Sequence, residues 1–507
     1  MLSSLDTSNT ALAGRYDEIP YEALPHPSTH PIRLASVAMF FEHLAPHLEG
    51  CSVLEVGCND GGNLIPMAVS LPAARFVGCD LSPRAIEAGQ RSIAALGLTN
   101  ITLVEQDFAA LAPEHGPFDF IVAHGVYSWV PLELRDALFA LAAQRLAPGG
   151  ILYASFNVLP GCRVRQAAWD VLHHHVDHIE SPRARLDSAR QLARLIAAAG
   201  ASTQESDKAV RAEFAAIAQR SDSEIYHDDL AVPNEPVFFQ TFAEHAARHH
   251  LRYLTDAEFQ AVTVTGASDE AQAYLSTLDP LAREQYLDFI RLRRFRQALL
   301  VRVDAPVDKR TRAERVSAMH VSANWSLLDT PASKLAGIAR SLDPGSGGGG
   351  AVRALLDALV AQQPASYEIA SLEDRIRLRG LPRPLEAILA DAYTRGIVDL
   401  HVQPPALTSR PSDRPVASPL ARLQAGTRED VTTLLHMQVR LADRNALRLL
   451  PLVDGTRDRA ALAAAVRRYA PDLDPARAPH FVDFAVQKFA RLGLLMADVV
   501  GDSNGRH

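Results

Sequence analysis

The chain has 507 residues, 48% hydrophobic and 22% charged, with 51 basic against 59 acidic side chains and a net charge of −8. That length suits about two to four soluble globular domains, and the acidic balance excludes a protein that holds nucleic acid by a global basic excess. No basic segment followed by an apolar one opens the chain, no apolar run reaches the roughly 18 residues of a membrane span, and the four cysteines (Cys51, Cys58, Cys79, Cys162) lack zinc or disulfide-framework spacing, so a reducing, cytoplasmic protein without membrane insertion is expected.

Residues 16–31, YDEIPYEALPHPSTHP, are too proline-rich for a regular helix. Residues 1–30 are therefore expected to form an extended arm over the active site, and helical periodicity begins at Pro31. Strands are expected at 52–56, 75–79, 101–105, 118–123 and 151–156. Helices are expected between them at 63–70, 83–96 and 131–146. The second starts behind Ser82 with a proline just inside it, a strong N-terminal signal. The third is expected to stop at Pro148-Gly149-Gly150. This alternation predicts an α/β fold, a parallel sheet with helices on both faces.

The alternation then breaks. Residues 163–247 read as a helical insertion, and two late strands, 251–254 and 295–303, flank a helix at 284–292. The sheet is expected to close near residue 303, giving a domain over 31–303. Residues 304–350 read as a connector ending in the flexible linker GSGGGG. Segments 351–403 and 421–507 each end in a helix, a glycine stop and a short apolar strand, as winged-helix domains do. A Pro/Ser-rich linker, 404–420, separates them.

The chemistry concentrates in the loop from Glu55 to Asn63. Gly57 and Gly61 permit a sharp turn and close approach to a ligand. A dinucleotide fingerprint needs glycine where Asn59 stands. Three further features follow in order: Asp80-Leu81-Ser82-Pro83 after the second strand, Gln106-Asp107-Phe108 after the third, and Pro148-Gly149-Gly150 before the fifth. With these features the chain resembles the class I S-adenosylmethionine-dependent methyltransferases. The resemblance implies S-adenosyl-L-methionine as cofactor and a Rossmann-like seven-stranded sheet. It places Glu55, Gly57, Asn59 and Gly61 beside the methionine part, Asp80 with Leu81 at the ribose hydroxyls, and Asp107 with Phe108 at the adenine. His124 is either a cofactor-side residue or a satisfied core histidine.

The fourth strand leads into HGVYSWVP. It lacks the Asp/Asn-Pro-Pro-aromatic motif that accompanies methylation of planar amino groups. An aromatic slot here suits an alkyl ammonium instead. Tyr127 is expected to line that slot, with Tyr16 and Tyr21 of the arm, and Trp129 to pack the sheet edge. The arm, HGVYSWVP, SFNVLPGCRVRQ and YHDDLAVPNEPVFFQTFAEHAARHHLRYLTDAEF are similar to methyltransferases carrying a methyltransferase regulatory domain, among them bacterial lysine methyltransferases of outer-membrane proteins. That resemblance covers about residues 15–303, and the tail resembles their winged-helix C-terminal region. It implies a protein or peptide substrate methylated on a lysine amine, with no nucleic acid partner and no metal; a homodimer is left open. The alternatives are a small-molecule biosynthetic methyltransferase and a non-catalytic winged-helix protein with a cofactor-sensing domain. His174 and His178, one helical turn apart, read as solvated helix surface, as do His249 and His250. The run RLRRFR at 291–296 reads as a helix-to-strand turn rather than a nucleic-acid patch.

Overall fold

Ser52–Val56 (β1) is buried at every position, as a parallel strand covered on both faces must be. It pairs in parallel with Arg75–Asp80 (β2) and Phe118–Ala123 (β4). Ile101–Glu105 (β3) extends one side in parallel, and Leu146–Asn157 (β5) the other. Phe295–Arg302 (β7) runs antiparallel to both β5 and Leu251–Asp256 (β6). The seven-stranded order is β3-β2-β1-β4-β5-β7-β6, so the sheet closes at the strand expected to close it. The order reverses between β1 and β4, and a reversal of this kind opens a crevice at the strands' carboxyl ends. This computed structural model describes residues 18–112, 115–200, 204–262, 268–343, 349–470, 474 and 476–497. Tyr16 and most of the expected glycine-rich linker lie outside the described residues.

Local signals set the crossovers. Helix Pro83–Leu96 is capped by Ser82, whose Oγ accepts from the Ala85 N–H at 3.1 Å, and ends at left-handed Gly97. The helix before β5 ends at Arg145 and the strand follows without a turn. Pro148-Gly149-Gly150 is therefore not a helix stop. It is a bulge inside β5, between the pairings Phe118–Leu146 and Phe120–Ile151.

The insertion packs helices Arg163–Val176, Pro182–Ala197 and Glu205–Gln219 around their own core of Leu172, Leu186, Phe214 and Ile217, joined by Ile19 of the arm. Helices Phe239–Arg248 and Pro280–Arg291 then flank β6 and β7. Three of the four arginines in the basic run at 291–296 are paired with acids of the same domain. Arg296 is fully buried and pairs with Asp256 (2.6 Å), Asp288 (2.9 Å) and Glu284 (3.1 Å), while Arg293 reaches Asp256 and Arg294 reaches Glu213. A charge this buried is tolerated only because it is matched on several sides.

Residues 304–343 are not a bare connector. They supply helices Arg312–Ser317 and Ala332–Leu342 and the strand His320–Ala323 (β8). β8 is the centre of a sheet, between Tyr367–Glu368 (β9) and Val398–His401 (β10). The unit that holds β8, β9 and β10 thus begins well before residue 351. Its core is continuous with that of the large sheet: the rings of Phe40, Phe259 and Tyr393 meet at 5.0 to 5.7 Å. The second unit has a separate core built from helices Pro419–Ala425, Arg459–Tyr469 and Ala478–Arg491. It carries a hairpin of Asp430–Thr432 (β11) and Gln438–Arg440 (β12). Much of the expected linker 404–420 is pinned to it by backbone bridges at Leu407–Met496, Val416–Asp454 and Ala417–Leu495. Among the described residues no helix is long and apolar enough to cross a membrane. All four cysteines are buried and unpaired.

Candidate functional site

The crevice at the ends of β1, β2 and β4 is a cavity of about 360 Å³. One wall is the loop after β1. Gly57, at φ 70°, lets its own N–H and that of Cys58 turn onto the Cys79 carbonyl (2.9 and 3.1 Å). Asn59 also adopts a left-handed conformation, φ 50°, which asparagine accepts better than most side chains. Its N–H donates to Asp80 Oδ2 (2.8 Å), its Oδ1 accepts from the Asp60 N–H (2.6 Å), and its Nδ2 donates to the Tyr21 carbonyl (3.2 Å). The residue that spoils a dinucleotide fingerprint thus fastens the loop to the second-strand acid and to the arm. The other Asp80 oxygen accepts from the Ser82 N–H (2.9 Å). Asp80 and Leu81 both line the cavity. Gly61 does not; at φ 75°, packed by Ile65 and Leu103, it shapes the loop from behind.

Glu55 ends β1 beneath this loop and is 4% exposed. Its Oε1 accepts from Asn63 Nδ2 at 2.6 Å, while Oε2 is buried with no partner. Burial pushes the carboxyl up to about 8. A buried carboxyl oxygen without a partner at a cavity wall is a place for a cationic donor, whose charge would favour the ionised form that burial disfavours.

After β3, Gln106 and Phe108 line the cavity. Asp107, expected at the adenine, is not among the lining residues. Its Oδ1 caps the following turn by accepting from the Ala109 N–H (2.9 Å). After β4, His124 is both at the cavity and hydrogen-bonded within the core. It lines the cavity, stacks on His26 of the arm at 3.8 Å, and its Nδ1 lies 3.0 Å from the Tyr153 hydroxyl. Burial lowers both histidines, His26 to about 4 and His124 well below its ordinary value, so both are neutral near pH 7.

Two expectations about this segment are reversed. Tyr127 lies outside the cavity, 2% exposed among Phe139, Phe156 and Phe242, its hydroxyl 2.9 Å from His245 Nδ1. Trp129, expected to pack the edge, lines the cavity, and its indole N–H is buried without a partner. Alternation along a loop is not strand alternation, so position after the strand did not decide which ring faces in.

The arm closes the cavity. Tyr21 lines it as expected, edge-on to His227 at 5.5 Å. Tyr226 donates to Glu18 (2.7 Å), and His227 Nε2 lies 2.6 Å from the Ile19 carbonyl. These anchors belong to a π-helical turn, Ile225–Asp229, that leaves the helical insertion; such turns often mark functional positions. Asp229 is buried and takes hydrogen bonds from Trp169 Nε1 and Arg165. Its neighbour Asp228 faces the cavity with Asn157, Arg165, Arg294 and Phe295, and burial raises its carboxyl to about 6. Asn63 and Asp228 are among the cavity residues the sequence reading did not assign. Asn63 lay inside the quoted loop, whereas nothing local distinguished Asp228 from Asp229.

One histidine–acid group with ligand atoms within 4.8 Å of one another occurs among the described residues: Asp136, His245 and His249. A single Asp136 oxygen serves both Nε2 atoms (3.4 and 2.8 Å), and His245 Nδ1 is held by Tyr127. The group is complete as a hydrogen-bond network without an ion. His249 is thus not merely solvated.

Residues 53–150 match the family model of a methyltransferase domain, and residues 221–302 that of a "Predicted methyltransferase regulatory domain". Residues 413–472 match the PKMT C-terminal winged helix domain. An uncharacterized protein of Rickettsia prowazekii is 33% identical over 320 residues, 63% of this chain and 58% of that protein. A second from the same organism is 30% identical over 240 residues, 47% of this chain and 96% of that protein. The matched part therefore spans little more than half of the first relative. The structure of PKMT2 from Rickettsia typhi, solved also in complex with AdoHcy, superposes with a TM-score of 0.80 at 24% identity, covering 94% of this chain and 100% of that one.

Proposed function

We propose, from the premise that this chain belongs to the class I S-adenosylmethionine-dependent methyltransferases that carry a methyltransferase regulatory domain, that it methylates a lysine amine of a protein. The residues present fit the cofactor. S-adenosylmethionine has hydroxyl and amine donors and no pyrophosphate, and it meets the open Glu55 Oε2 and the clamped Asp80 carboxylate rather than an anion cradle. Bound there, it supplies an electrophilic methyl group on a sulfonium. Phe108 and Leu81 give the wall an apolar face for the base and ribose.

The observation that carries the amine reading is Asp228, a carboxylate in the same cavity as Trp129, Tyr21 and Phe295. Aromatic faces and a carboxylate are what an alkyl ammonium needs on leaving water. His26 and His124 stay neutral and so do not repel it. The ammonium must lose a proton before attack, and Asp228, with its acidity weakened by burial, is the carboxylate placed to receive it. The arm and the insertion hold the two partners together and exclude water, and alignment of this kind is worth roughly 7–11 kcal/mol. The likeness to PKMT2 and the PKMT winged-helix match support a protein as the carrier of that amine. One observation favours a small acidic molecule instead: Arg165 and Arg294 also line the cavity. Both, however, are paired with Glu213 or Asp229. A purely cofactor-sensing protein would not need Asp228 and Trp129 in the cavity.

The test is to incubate the full-length chain with a cell lysate and labelled S-adenosylmethionine and to map the label by mass spectrometry. Label on protein lysines is expected, and label confined to small molecules would overturn the reading. On the substrate found, Asp228→Asn should lower kcat by about 100-fold with the dissociation constant for S-adenosylhomocysteine unchanged. Asp228 is ionised above about 6, so the parental rate should fall as pH drops through 6. A rate flat from pH 5 to 8 would exclude this role for Asp228.

A further inference from the structure

The C-terminal unit touches, from behind, a residue that lines the cavity. At the tip of the β11–β12 hairpin, His436 adopts φ 58° and is 3% exposed. Its Nε2 lies 2.8 Å from Asn63 Oδ1, across 373 positions of sequence. The Asn63 amide fills all of its hydrogen-bonding capacity. Oδ1 accepts from the His26 N–H (2.8 Å) and from His436 Nε2, while Nδ2 donates to Glu55 Oε1 (2.6 Å) and to Thr29 Oγ1 (3.1 Å). Thr29 can then donate to the His26 carbonyl at 2.8 Å. An amide satisfied on all four positions has one orientation, because a half-turn would set its NH₂ against two donors. That orientation aims an N–H at Glu55 Oε1 and leaves Oε2 as the carboxyl oxygen without a partner. Burial keeps His436 neutral, and its Nδ1 is buried without a partner, so its one proton belongs on Nε2.

We infer that His436 is a positioning residue for the methyl donor: through Asn63 it orients Glu55, so the C-terminal unit completes the cofactor site. This rests on the reading that the cavity binds S-adenosylmethionine. The winged-helix unit is then part of the binding wall rather than a substrate adaptor alone. Its docking and the cofactor's retention are one equilibrium.

The test is calorimetric titration of S-adenosylhomocysteine into the full-length chain and its variants. His436→Ala should weaken binding about tenfold, the usual scale for unpairing a buried polar group. His436→Gln, which returns an N–H to the place of Nε2, should recover most of the loss. His436→Ala should add nothing in an Asn63→Ala background. Arg440→Ala, which breaks only the exposed pair with Glu429 in the same hairpin, should bind as the parent does. Parental affinity in His436→Ala, or equal weakness of His436→Gln and His436→Ala, would overturn the inference. Should His436→Ala fail to fold, the Gln variant and the Asn63 comparison still decide it. Failure of the parent to bind S-adenosylhomocysteine would instead remove the cofactor reading.

Discussion

Glu55 is a carboxylate that stability alone would not place. Its ordinary value near 4.5 is raised to about 8 by burial, so folding prefers its protonated form. The penalty is absent below the ordinary value, grows as pH rises toward 8, and then levels off. Glu55→Gln should therefore raise the melting temperature of the ligand-free chain, more at pH 8 than at pH 5, while weakening S-adenosylhomocysteine binding. A variant destabilised at pH 8 would mean that the charge is already compensated. Asp80→Ala removes a carboxylate held by two backbone N–H groups. Calorimetry should show a loss of about 100-fold in affinity for the same ligand. Tyr127→Phe belongs to a different class. It leaves His245 Nδ1 unpaired in the core, and should cost about 1–3 kcal/mol in denaturant unfolding with little change in kcat. Trp129→Phe, which trims a ring that lines the cavity, should do the reverse.

At the scale of elements, the cofactor loop and the arm are fitted to each other. A Cβ on Gly62 would lie 2.3 Å from the Ala23 carbonyl oxygen, a backbone atom that cannot swing away. Gly62→Ala should therefore lift the arm. Faster proteolysis near residues 18–26 and weaker cofactor binding are the expected readouts, and an unchanged cleavage rate would show that the arm yields elsewhere. The loop was legible in sequence because its chemistry is local: Glu55, Gly57, Asn59 and Asp80 fall within one β-α-β unit. The far wall was not. Asp228 is brought over the cavity by a π-helical turn about seventy residues after β5, a distance no periodicity records. The ordering of the aromatic segment failed for a related reason. Tyr127 and Trp129 are two apart, but the turn between them points one at His245 and sets the other in the cavity lining.

At the scale of the molecule, the boundaries follow hydrophobic continuity rather than linker composition. A chain ending at residue 350 would keep β8 but lose β10 and β9, its partners on both sides. It would also lose the contacts of Arg33 with Tyr393 and Asp399. It should aggregate or unfold, as circular dichroism and light scattering would show. A chain ending at residue 403 removes the unit with a separate core. It should remain folded but bind S-adenosylhomocysteine more weakly, because His436 leaves with it. Undiminished binding would argue that Asn63 is oriented by the arm alone.

The sequence by itself determined the sheet class and placed the glycine loop and Asp80 at one cavity, because these depend on residues close in the chain whose spacing is the physical requirement; the family was read from resemblance over a longer span. Tertiary structure alone decided the far wall of the cavity, with Trp129 in and Tyr127 out and with Asp228 carried over by the insertion. It also decided that His436 closes the wall behind Glu55. Those contacts join segments up to hundreds of residues apart, and which side chains meet there is set by how separate elements pack, a fact that no local pattern encodes.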